Sequence, residues 1–440
     1  MMKKIRYSLP QDNELLTGRL VSHKMLFSRE VLTGVLQIFD EVAVRGDEAV
    51  RSCTQKFDGT TLDELNLTED YVDQCIASLT PALRAAVEHA IRNVREVNLT
   101  LLPQSWERQI RPGTIVGEKV RPLDRVGIWI PARKGPLVST SIMLVAAAKA
   151  AGVPNIVVGM PPLKDGTADS GTVAAAKLAG ADQFVIGNGV AVIAGFAQGT
   201  ESIPEVDGIF GPGPGGIAAA MSVAMTYGKK SALGIGPTES AIMADETADP
   251  RQTAYDLINE AEHGPDSTSI LVTTSVDLAT QVEMLLSQCI EEVEGVRQTY
   301  LKQVFGPEGK GAIVVAPDIE QACEFINGFA PEHLMIVCEE EQEKRVLELV
   351  RHAGEILIGG STPFSAANYG IGITAVLPTN HFAKAFSGVT SKDMVKVSTI
   401  GRLEPEALQS LYPIIQEMGV YEHLPCHVKV AEIRVMGAAE

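Results

Sequence analysis

Residues 259–266 (NEAEHGPD) place a carboxylate and an imidazole on one face of a predicted helix. Glu260 and His263 are three residues apart, and residues at that spacing are neighbours on a helix surface. Gly264 and Pro265 end the helix, so both side chains fall in its last turn. A Glu-x-x-His pair of this kind could supply half of a metal site. The alternative is a surface pair at a helix end, where a histidine suits the helix dipole.

A second acid–base pair stands at the start of an apolar run in residues 330–337 (APEHLMIV). Glu332 and His333 follow Pro331 and open a predicted strand. A rigid sheet could hold such a pair for general acid–base catalysis. Adjacent residues point to opposite faces of a regular strand, so both can face one site only if the strand begins irregularly. The alternative is a loop pair that faces water.

Two further segments carry weaker signals. In residues 422–427 (EHLPCH), His423 and His427 have a metal-binding spacing, but Pro425 lies between them, so we expect at most one to be a ligand.

Residues 211–216 (GPGPGG) lie between a predicted strand and a predicted helix and fit G-x-G-x-x-G, a pattern typical of phosphate-binding turns. Two prolines remove backbone donors from that turn, and a tight structural turn is the alternative interpretation.

Strands and helices alternate in the elements that must position these residues. Apolar, β-rich runs alternate with Ala-rich or amphipathic helical stretches over 125–227 and again over 241–358. This alternation predicts βαβ units, and therefore an α/β protein with two Rossmann-like parallel-sheet domains. The N-terminal segment has helical periodicity. In the tail we expect a helix over 402–420 and an extended run over 429–436.

The change of pattern along the chain predicts four parts. They are an N-terminal arm (1–23), a discontinuous first α/β domain with a helical N-terminal part (24–124 plus 239–380), a second α/β domain (125–238) and a C-terminal tail (381–440).

Composition excludes several classes of function. The 440 residues include 37 Lys and Arg against 55 Asp and Glu, a net charge of −18 that disfavours nucleic acid and anionic membranes as partners. No apolar run approaches the ~18–20 residues of a bilayer span. The N-terminus lacks the apolar stretch of a secretory signal, so we expect a cytoplasmic protein. The six cysteines form no CxxC pair, which argues against a disulfide framework or a thiolate zinc cluster.

Taken together, these segments resemble the histidinol dehydrogenase family, and the similarity covers nearly the whole chain. The motifs that carry it are VAVRGDEAV (42–50), KFD (56–58), VGIWIP (126–131), GTESIPEVDGIFGPG (199–213), GPTE (236–239), AEHGPDS (261–267), APEHL (330–334) and VLPT (376–379). The AEHGPDS and PEHL strings, in this order and separation, are highly specific. The resemblance implies a zinc- and NAD-dependent enzyme of histidine biosynthesis. It also implies that L-histidinol is oxidised through an aldehyde to the acid in two hydride transfers.

The resemblance further implies roles for individual residues. Glu332 would activate water for the aldehyde step, and His333 would transfer protons and contact the substrate. The zinc ligands, which also meet the substrate, would be Glu260, His263, Asn368 and His427. His427 would come from the partner chain of a homodimer with shared sites. The remaining substrate contacts would be Thr238, Tyr369 and Glu422, and the NAD-binding positions would be Trp129, Val190 and Pro214.

The sequence departs from the family at some of these positions. Glu260 stands where the family has a Gln ligand and Asn368 where it has an Asp ligand, so the one carboxylate moves across the metal. Trp129 replaces Tyr and keeps a flat stacking surface. Val190 replaces Gln and Pro214 replaces Asn, which removes two polar contacts to NAD.

These departures leave alternatives open. Arg133 and Lys134 could meet an anionic substrate group or nucleotide phosphates, or could be solvated loop charges. The chain could therefore be a paralogue that oxidises another small polyol or hydroxy acid, with an anionic compound included among the candidates, although Glu422 and His427 favour histidinol. It could also be a metal-binding protein without activity, which the presence of both Glu332 and His333 argues against. Aldehyde or acid as product, NADP in place of NAD and manganese in place of zinc also stay open.

Overall fold

The computed structural model describes residues 5–20, 27–132, 135–213, 215–232 and 236–437. The strands are β1 (Arg6–Ser8), β2 (Trp106–Arg111), β3 (Thr114–Pro122), β4 (Arg125–Trp129), β5 (Asn155–Met160), β6 (Gln183–Ile186), β7 (Gly208–Phe210), β8 (Lys230–Ser231), β9 (Glu239–Ala244), β10 (Thr268–Thr273), β11 (Lys310–Val315), β12 (His333–Val337), β13 (Glu355–Ile358) and β14 (Val395–Leu403). The helices are α1 (Asn13–Leu20), α2 (Arg29–Arg45), α3 (Asp47–Asp58), α4 (Glu69–Ala77), α5 (Pro81–Leu101), α6 (Val138–Ala151), α7 (Ser170–Ala179), α8 (Gly189–Gln198), α9 (Gly215–Thr226), α10 (Pro250–Ala261), α11 (Val276–Glu291), α12 (Gly295–Val304), α13 (Ile319–Phe329), α14 (Glu340–Leu349), α15 (Phe364–Tyr369), α16 (Pro405–Tyr421) and α17 (Pro425–Gly437).

The chain divides into two compact units, and the first, Met1–Leu101 with Leu123–Met394, holds two parallel sheets. One sheet has the order β1-β11-β10-β9-β12-β13 among the described strands. Every residue of its strand β10 is buried, as expected for a parallel strand covered on both faces. Apart from the edge strand β1, the order along the chain is third, second, first, fourth, fifth, which is that of a doubly wound nucleotide-binding fold.

The other sheet of the first unit has the order β6-β5-β4-β7-β8, which is the same winding. Its helices are unusually apolar. In α6, for example, the whole run from Ser141 to Ala148 is buried, so the helix lies inside the unit rather than on its surface. The prediction of an α/β protein with two Rossmann-like parallel sheets is confirmed.

The second unit, Leu102–Pro122 with Val395–Glu440, contains a three-stranded antiparallel sheet in the order β14-β3-β2 and the helices α16 and α17. The sequence patterns did not predict this sheet. Its strands are mostly exposed and rich in charged residues, so they lack the apolar run that marks a buried strand. The four predicted parts of the chain stay a prediction.

The extended run predicted over 429–436 is wrong, because these residues lie in α17. Alternating Val and Ile residues favour a strand, but tertiary packing overrides that preference. Val428 approaches Gly419 of α16 so closely that a Cβ at Gly419 would come within 2.6 Å of it. Within α17, Lys429 pairs with Glu432 at 2.8 Å across one helical turn.

No helix among the described residues is long and apolar enough to cross a membrane.

Candidate active site

Carboxylates and histidines, most of them buried, gather at the amino ends of three neighbouring strands. Glu239 opens β9, His333 opens β12 and Glu355 opens β13, and His333 lies directly opposite Glu355 in the strand register. Helix α10 connects two parallel strands, so it runs back along the sheet and its last turn reaches the same amino edge. The strand order and this helix therefore bring distant parts of the sequence to one place.

The last turn of α10 holds Glu260 almost fully buried, at 1% exposure. Glu260 Oε2 lies 3.2 Å from His263 Nε2, and its Oε1 accepts hydrogen bonds from the side-chain amides of Asn259 at 2.8 Å and Asn368 at 3.0 Å. The side chain of His263 is half exposed. The predicted i, i+3 pairing is therefore present, with its carboxylate buried and its imidazole at the surface.

Glu332 and His333 share this cluster because Glu332 precedes the regular part of β12. The Oε2 atom of Glu332 accepts the backbone N–H of Glu239 at 3.0 Å, and its Oε1 lies 3.6 Å from His333 Nε2. Both residues are buried. The loop pair facing water is thus excluded, and the irregular strand entry that the sequence required is present.

The imidazole of His333 is held on two sides. Its Nδ1 lies 2.5 Å from Glu355 Oε1, and the ring meets Phe364 edge-on with the centroids 5.8 Å apart. Its Nε2 points toward Glu332 and toward Glu260 Oε2, which is 3.9 Å away. Nε2 is therefore the nitrogen that faces the rest of the cluster.

Burial and mutual repulsion set the charges of the carboxylates. Burial raises the pKa of Glu332 to about 7, and burial together with the charge of Glu332 raises the pKa of Glu239 to about 8. Burial opposes ionisation of Glu260 as well. The charges of His333 and His263 and the hydrogen bonds from His263 and Asn368 outweigh it and lower the pKa of Glu260 to about 2.

For the histidines, the neighbouring carboxylates have a larger effect on the pKa than burial. Burial lowers the pKa of His333, but Glu332, Glu260 and Glu355 outweigh it and raise this pKa to about 10. The hydrogen bond to Glu260 raises the pKa of His263. Near neutral pH Glu260 is ionised, Glu332 is partly ionised and Glu239 is largely protonated, so Glu260 is the group that attracts positive charge, whether of a metal ion or of an ammonium group.

The structure thus brings together Glu260, His263, Asn368, Glu332 and His333. Two other predicted residues lie beside them in the chain: Thr238 immediately precedes Glu239, and Tyr369 follows Asn368 and is 68% exposed.

Glu422 and His427 belong to the second unit, where both are exposed. Their predicted roles in the site stay predictions.

An apolar cavity of about 230 Å³ adjoins Asn368 and Tyr369. Its walls come from α5, α6 and α15 and include Leu83, Val87, Val94, Ile142 and Met143. A small organic molecule could extend from the acid–histidine cluster into this space.

Of the predicted NAD-binding residues, Trp129 lies in the five-stranded sheet. Trp129 ends β4, and Gly211 follows β7, its neighbour at the point where the strand order reverses. A Cβ at Gly211 would come within 2.0 Å of the Trp129 carbonyl oxygen, so only glycine fits there. Val190, in the first turn of α8, is partly buried. Pro214, Arg133 and Lys134 lie outside the described residues.

Trp129 itself is 3% exposed, and its Nε1 has no hydrogen-bond partner among the described residues. A stacking role on NAD would require its neighbours to move.

The sequence patterns missed two members of the cluster, Glu239 and Glu355. Each is a charged residue at the first position of an apolar strand, which is the signal that also marked His333. Only the strand order, with β12 between β9 and β13, shows that these three positions are neighbours.

The donors in the cluster suit a divalent metal only in combination with an amide. Among the described residues, no three His, Cys, Asp or Glu side chains are grouped so as to hold a metal ion. One imidazole (His263) and one amide (Asn368) do each contact the same carboxylate, Glu260, through its two oxygens. Oxygen and nitrogen donors of these types fit zinc.

A doubly wound α/β architecture with a buried acid–histidine cluster defines the class of an α/β enzyme equipped for proton transfer. Residues 22–435 match the family model described as histidinol dehydrogenase. The chain belongs to the histidinol dehydrogenase family, which confirms the prediction of a dehydrogenase enzyme of that type.

Individual relatives agree with this membership. The chain is 35% identical to the histidinol dehydrogenase of Methanothermobacter thermautotrophicus, over 94% of this chain and 95% of that protein. It is 33% identical to that of Bacteroides thetaiotaomicron, over 99% of each. The crystal structure of histidinol dehydrogenase from Elizabethkingia anophelis is similar with a TM-score of 0.93, at 28% identity and full coverage of both chains.

Proposed function

We propose that the chain oxidises L-histidinol to L-histidine in two steps, with zinc in the acid–histidine cluster and NAD as the hydride acceptor. The observation that carries this proposal is the contact of Glu260, His263 and Asn368 next to the buried pair Glu332 and His333. Potential metal donors and potential proton acceptors lie in one cluster, as an alcohol oxidation requires.

Glu260, His263 and Asn368 would hold the zinc ion, with His427 of a second copy as a fourth ligand. Zinc in this position supplies a Lewis acid that favours loss of the proton from an alcohol. The buried Glu260 supports this assignment, because a carboxylate at 1% exposure is stable only with positive charge nearby.

The surrounding carboxylates raise the pKa of His333 to about 10, and the positive charge of a zinc ion beside them would lower it so that Nε2 can accept a proton. His333 would then take the proton of the alcohol O–H at Nε2 while the carbon-bound hydrogen leaves as hydride. Its Nδ1 is engaged by Glu355, so Nε2 is the available nitrogen. In the second step Glu332 would take a proton from the water that adds to the aldehyde carbon. A carboxylate whose pKa is raised to about 7 by burial is suited to act as a base near neutral pH.

NAD would lie at the carboxyl ends of β4 and β7, the usual position for a dinucleotide in this strand order. The glycine that must follow β7 allows close approach. Nε1 of Trp129, which has no hydrogen-bond partner among the described residues, would offer a donor once the neighbours of the ring move. Val190 and Pro214 would contribute apolar contacts, and NAD when bound supplies the hydride acceptor.

A homodimer with shared sites is part of the proposal. The second unit carries many exposed apolar side chains on α16, on α17 and in the turn between them, which are Ile414, Met418, Val420, Tyr421, Leu424, Val430, Ile433 and Met436. Apolar groups on two packed helices support contact with another chain. Glu422 lies in the turn between these helices and His427 in the first turn of α17, so a partner that covers them would receive both side chains.

The charge of the cluster bears on the alternative substrates. Glu260, whose low pKa keeps it ionised, would repel an anionic group brought close to it, whereas L-histidinol carries an ammonium group. This argues against the small anionic hydroxy compound. Relative to the family pattern, the carboxylate and the amide at Glu260 and Asn368 are exchanged. A different neutral or cationic amino alcohol is therefore the alternative substrate to test.

The proposal is tested by NADH formation from L-histidinol with zinc-loaded protein and the variants His333→Ala and Glu332→Gln. We expect His333→Ala to retain zinc but to slow turnover by ~10²-fold or more. Glu332→Gln should slow oxidation of L-histidinaldehyde more than that of L-histidinol. His89→Ala, which alters an exposed histidine of α5, is the matched control and should behave as wild type. Unchanged turnover in His333→Ala would reject it as the base, and zinc binding without NADH from L-histidinol or from any other alcohol would indicate an inactive protein.

A further inference from the structure

Glu355 is a buried carboxylate to which the proposed reaction assigns no task. It opens β13 directly opposite His333, and its side chain is 3% exposed. Its Oε1 lies 2.5 Å from His333 Nδ1, the nitrogen that faces away from Glu260 and Glu332.

The backbone fixes this contact on two paired strands. The N–H of Glu355 donates to the Glu332 carbonyl at 3.0 Å, and the N–H of Gly354 donates to the Pro331 carbonyl at 3.0 Å. A Cβ on residue 354 would come within 2.5 Å of the Glu332 oxygen, so glycine permits the close approach. The carboxylate and the imidazole are therefore held by rigid elements rather than by a mobile loop.

The second carboxylate oxygen of Glu355 indicates that this residue lowers the free energy of unfolding rather than raising it. Its Oε2 is buried and has no hydrogen-bond partner among the described residues. Burying an unsatisfied carboxylate oxygen destabilises a fold, and an apolar side chain would fill the same position at lower cost. The retention of a carboxylate here is explained by its contact with His333.

We propose that Glu355 is a positioning residue, which accepts the Nδ1–H of His333 and so directs Nε2 toward the substrate alcohol. The inference rests on the proposed role of His333 as the base. A base whose other nitrogen is held by a carboxylate keeps one tautomer and one ring orientation. Phe364 restrains the same ring from its side, at a centroid distance of 5.8 Å.

Three variants separate positioning from packing. Glu355→Gln keeps an oxygen that accepts from Nδ1–H but removes the charge, whereas Glu355→Leu keeps the bulk and removes the acceptor. We expect kcat to fall ~10-fold in Glu355→Gln and ~10²-fold or more in Glu355→Leu, with KM for L-histidinol within ~3-fold of wild type. Glu348→Gln, at an exposed position on α14, is the matched control. Equal kcat values in wild type, Glu355→Gln and Glu355→Leu would overturn the proposal.

A spectroscopic measurement tests the contact without using activity. In zinc-loaded protein labelled with ¹⁵N-histidine, the Nδ1–H of His333 is identified as the signal that His333→Ala removes. We expect this hydrogen-bonded proton signal in wild type and Glu355→Gln and its loss or large upfield shift in Glu355→Leu. An unshifted signal in Glu355→Leu would refute the positioning role. If wild type does not oxidise L-histidinol but the signal depends on Glu355, the proposed substrate fails while the positioning contact stands.

Discussion

Glu260 accepts a hydrogen bond from Asn368 at 3.0 Å, and these are the two positions at which the chain departs from the zinc ligands expected by resemblance. A Gln–Asp pair and a Glu–Asn pair each contain one amide and one carboxylate. The direct contact means that the two departures compensate each other locally, because each arrangement pairs an amide donor with a carboxylate acceptor. The exchange therefore preserves the pair and relocates its charge.

This residue-scale account predicts strong coupling between the two positions. Asn368→Asp alone would place two carboxylates in contact and lower the free energy of unfolding of the metal-free protein by ~1–3 kcal/mol. Glu260→Gln alone would remove the carboxylate that His263 and Asn368 contact. The double variant Glu260→Gln/Asn368→Asp should recover much of both losses, in urea unfolding and in zinc content. Additive losses in the double variant would show that the residues do not act as a pair.

At the scale of single elements, the amino ends of β9, β12 and β13 carry charges that the fold must bury. Glu239 is the clearest case, because burial and Glu332 raise its pKa from 4.5 to about 8. The folded state then binds more protons than the unfolded state between these values. Stability is therefore lost as the pH rises from about 4.5 to about 8.

The variant Glu239→Gln tests this pH dependence. An amide oxygen can still accept the Asn380 N–H that Glu239 now accepts at 3.0 Å, while the charge is removed. We expect the metal-free variant to gain stability over wild type at pH 8 and little at pH 5, in urea unfolding at both pH values. Glu246→Gln, an exposed residue just after β9, should show no such difference. A gain that is equal at both pH values would contradict a buried, titrating Glu239.

Elements of the two parallel sheets could be predicted because their strands are apolar runs that alternate with helices. Glu260 with His263, and Glu332 with His333, could be found from spacing, since each pair is local in sequence. Glu355 could not, because its contact with His333 depends on which strands are neighbours. The antiparallel sheet could not be predicted because its strands are exposed and lack an apolar run. The prediction of an extended run over 429–436 was wrong because Val and Ile favour strands, and packing against another helix outweighs this preference.

At the scale of the whole molecule, the two parallel sheets share one strand order, but their proposed sites lie at opposite ends of the strands. The proposed nucleotide position is at the carboxyl ends of β4 and β7, whereas the acid–histidine cluster is at the amino ends of β9 and β12. The cluster forms at the amino ends because helix α10 runs back along the sheet and brings Glu260 and His263 to that edge. One fold thus supplies a place for each reactant.

Shared active sites predict complementation between two inactive variants. If His427 serves the site of a second copy, a heterodimer of His263→Ala and His427→Ala has one site with both defects and one site intact. Equal mixing after dissociation should then restore about a quarter of wild-type activity, since half of the dimers are mixed and each has one working site. Each variant mixed with itself is the control. No recovery, with mixed dimers demonstrated by affinity tags, would place His427 outside the partner's site.

The most direct test of the central claim is the number of NADH molecules formed per L-histidinol consumed by the zinc-loaded protein. Two NADH per L-histidinol, with L-histidine as the product, is the predicted result. It would show that a site built on Glu260 and Asn368 carries out both oxidations. No NADH with one zinc bound per chain would contradict the account and indicate that the exchanged ligand pair serves another alcohol.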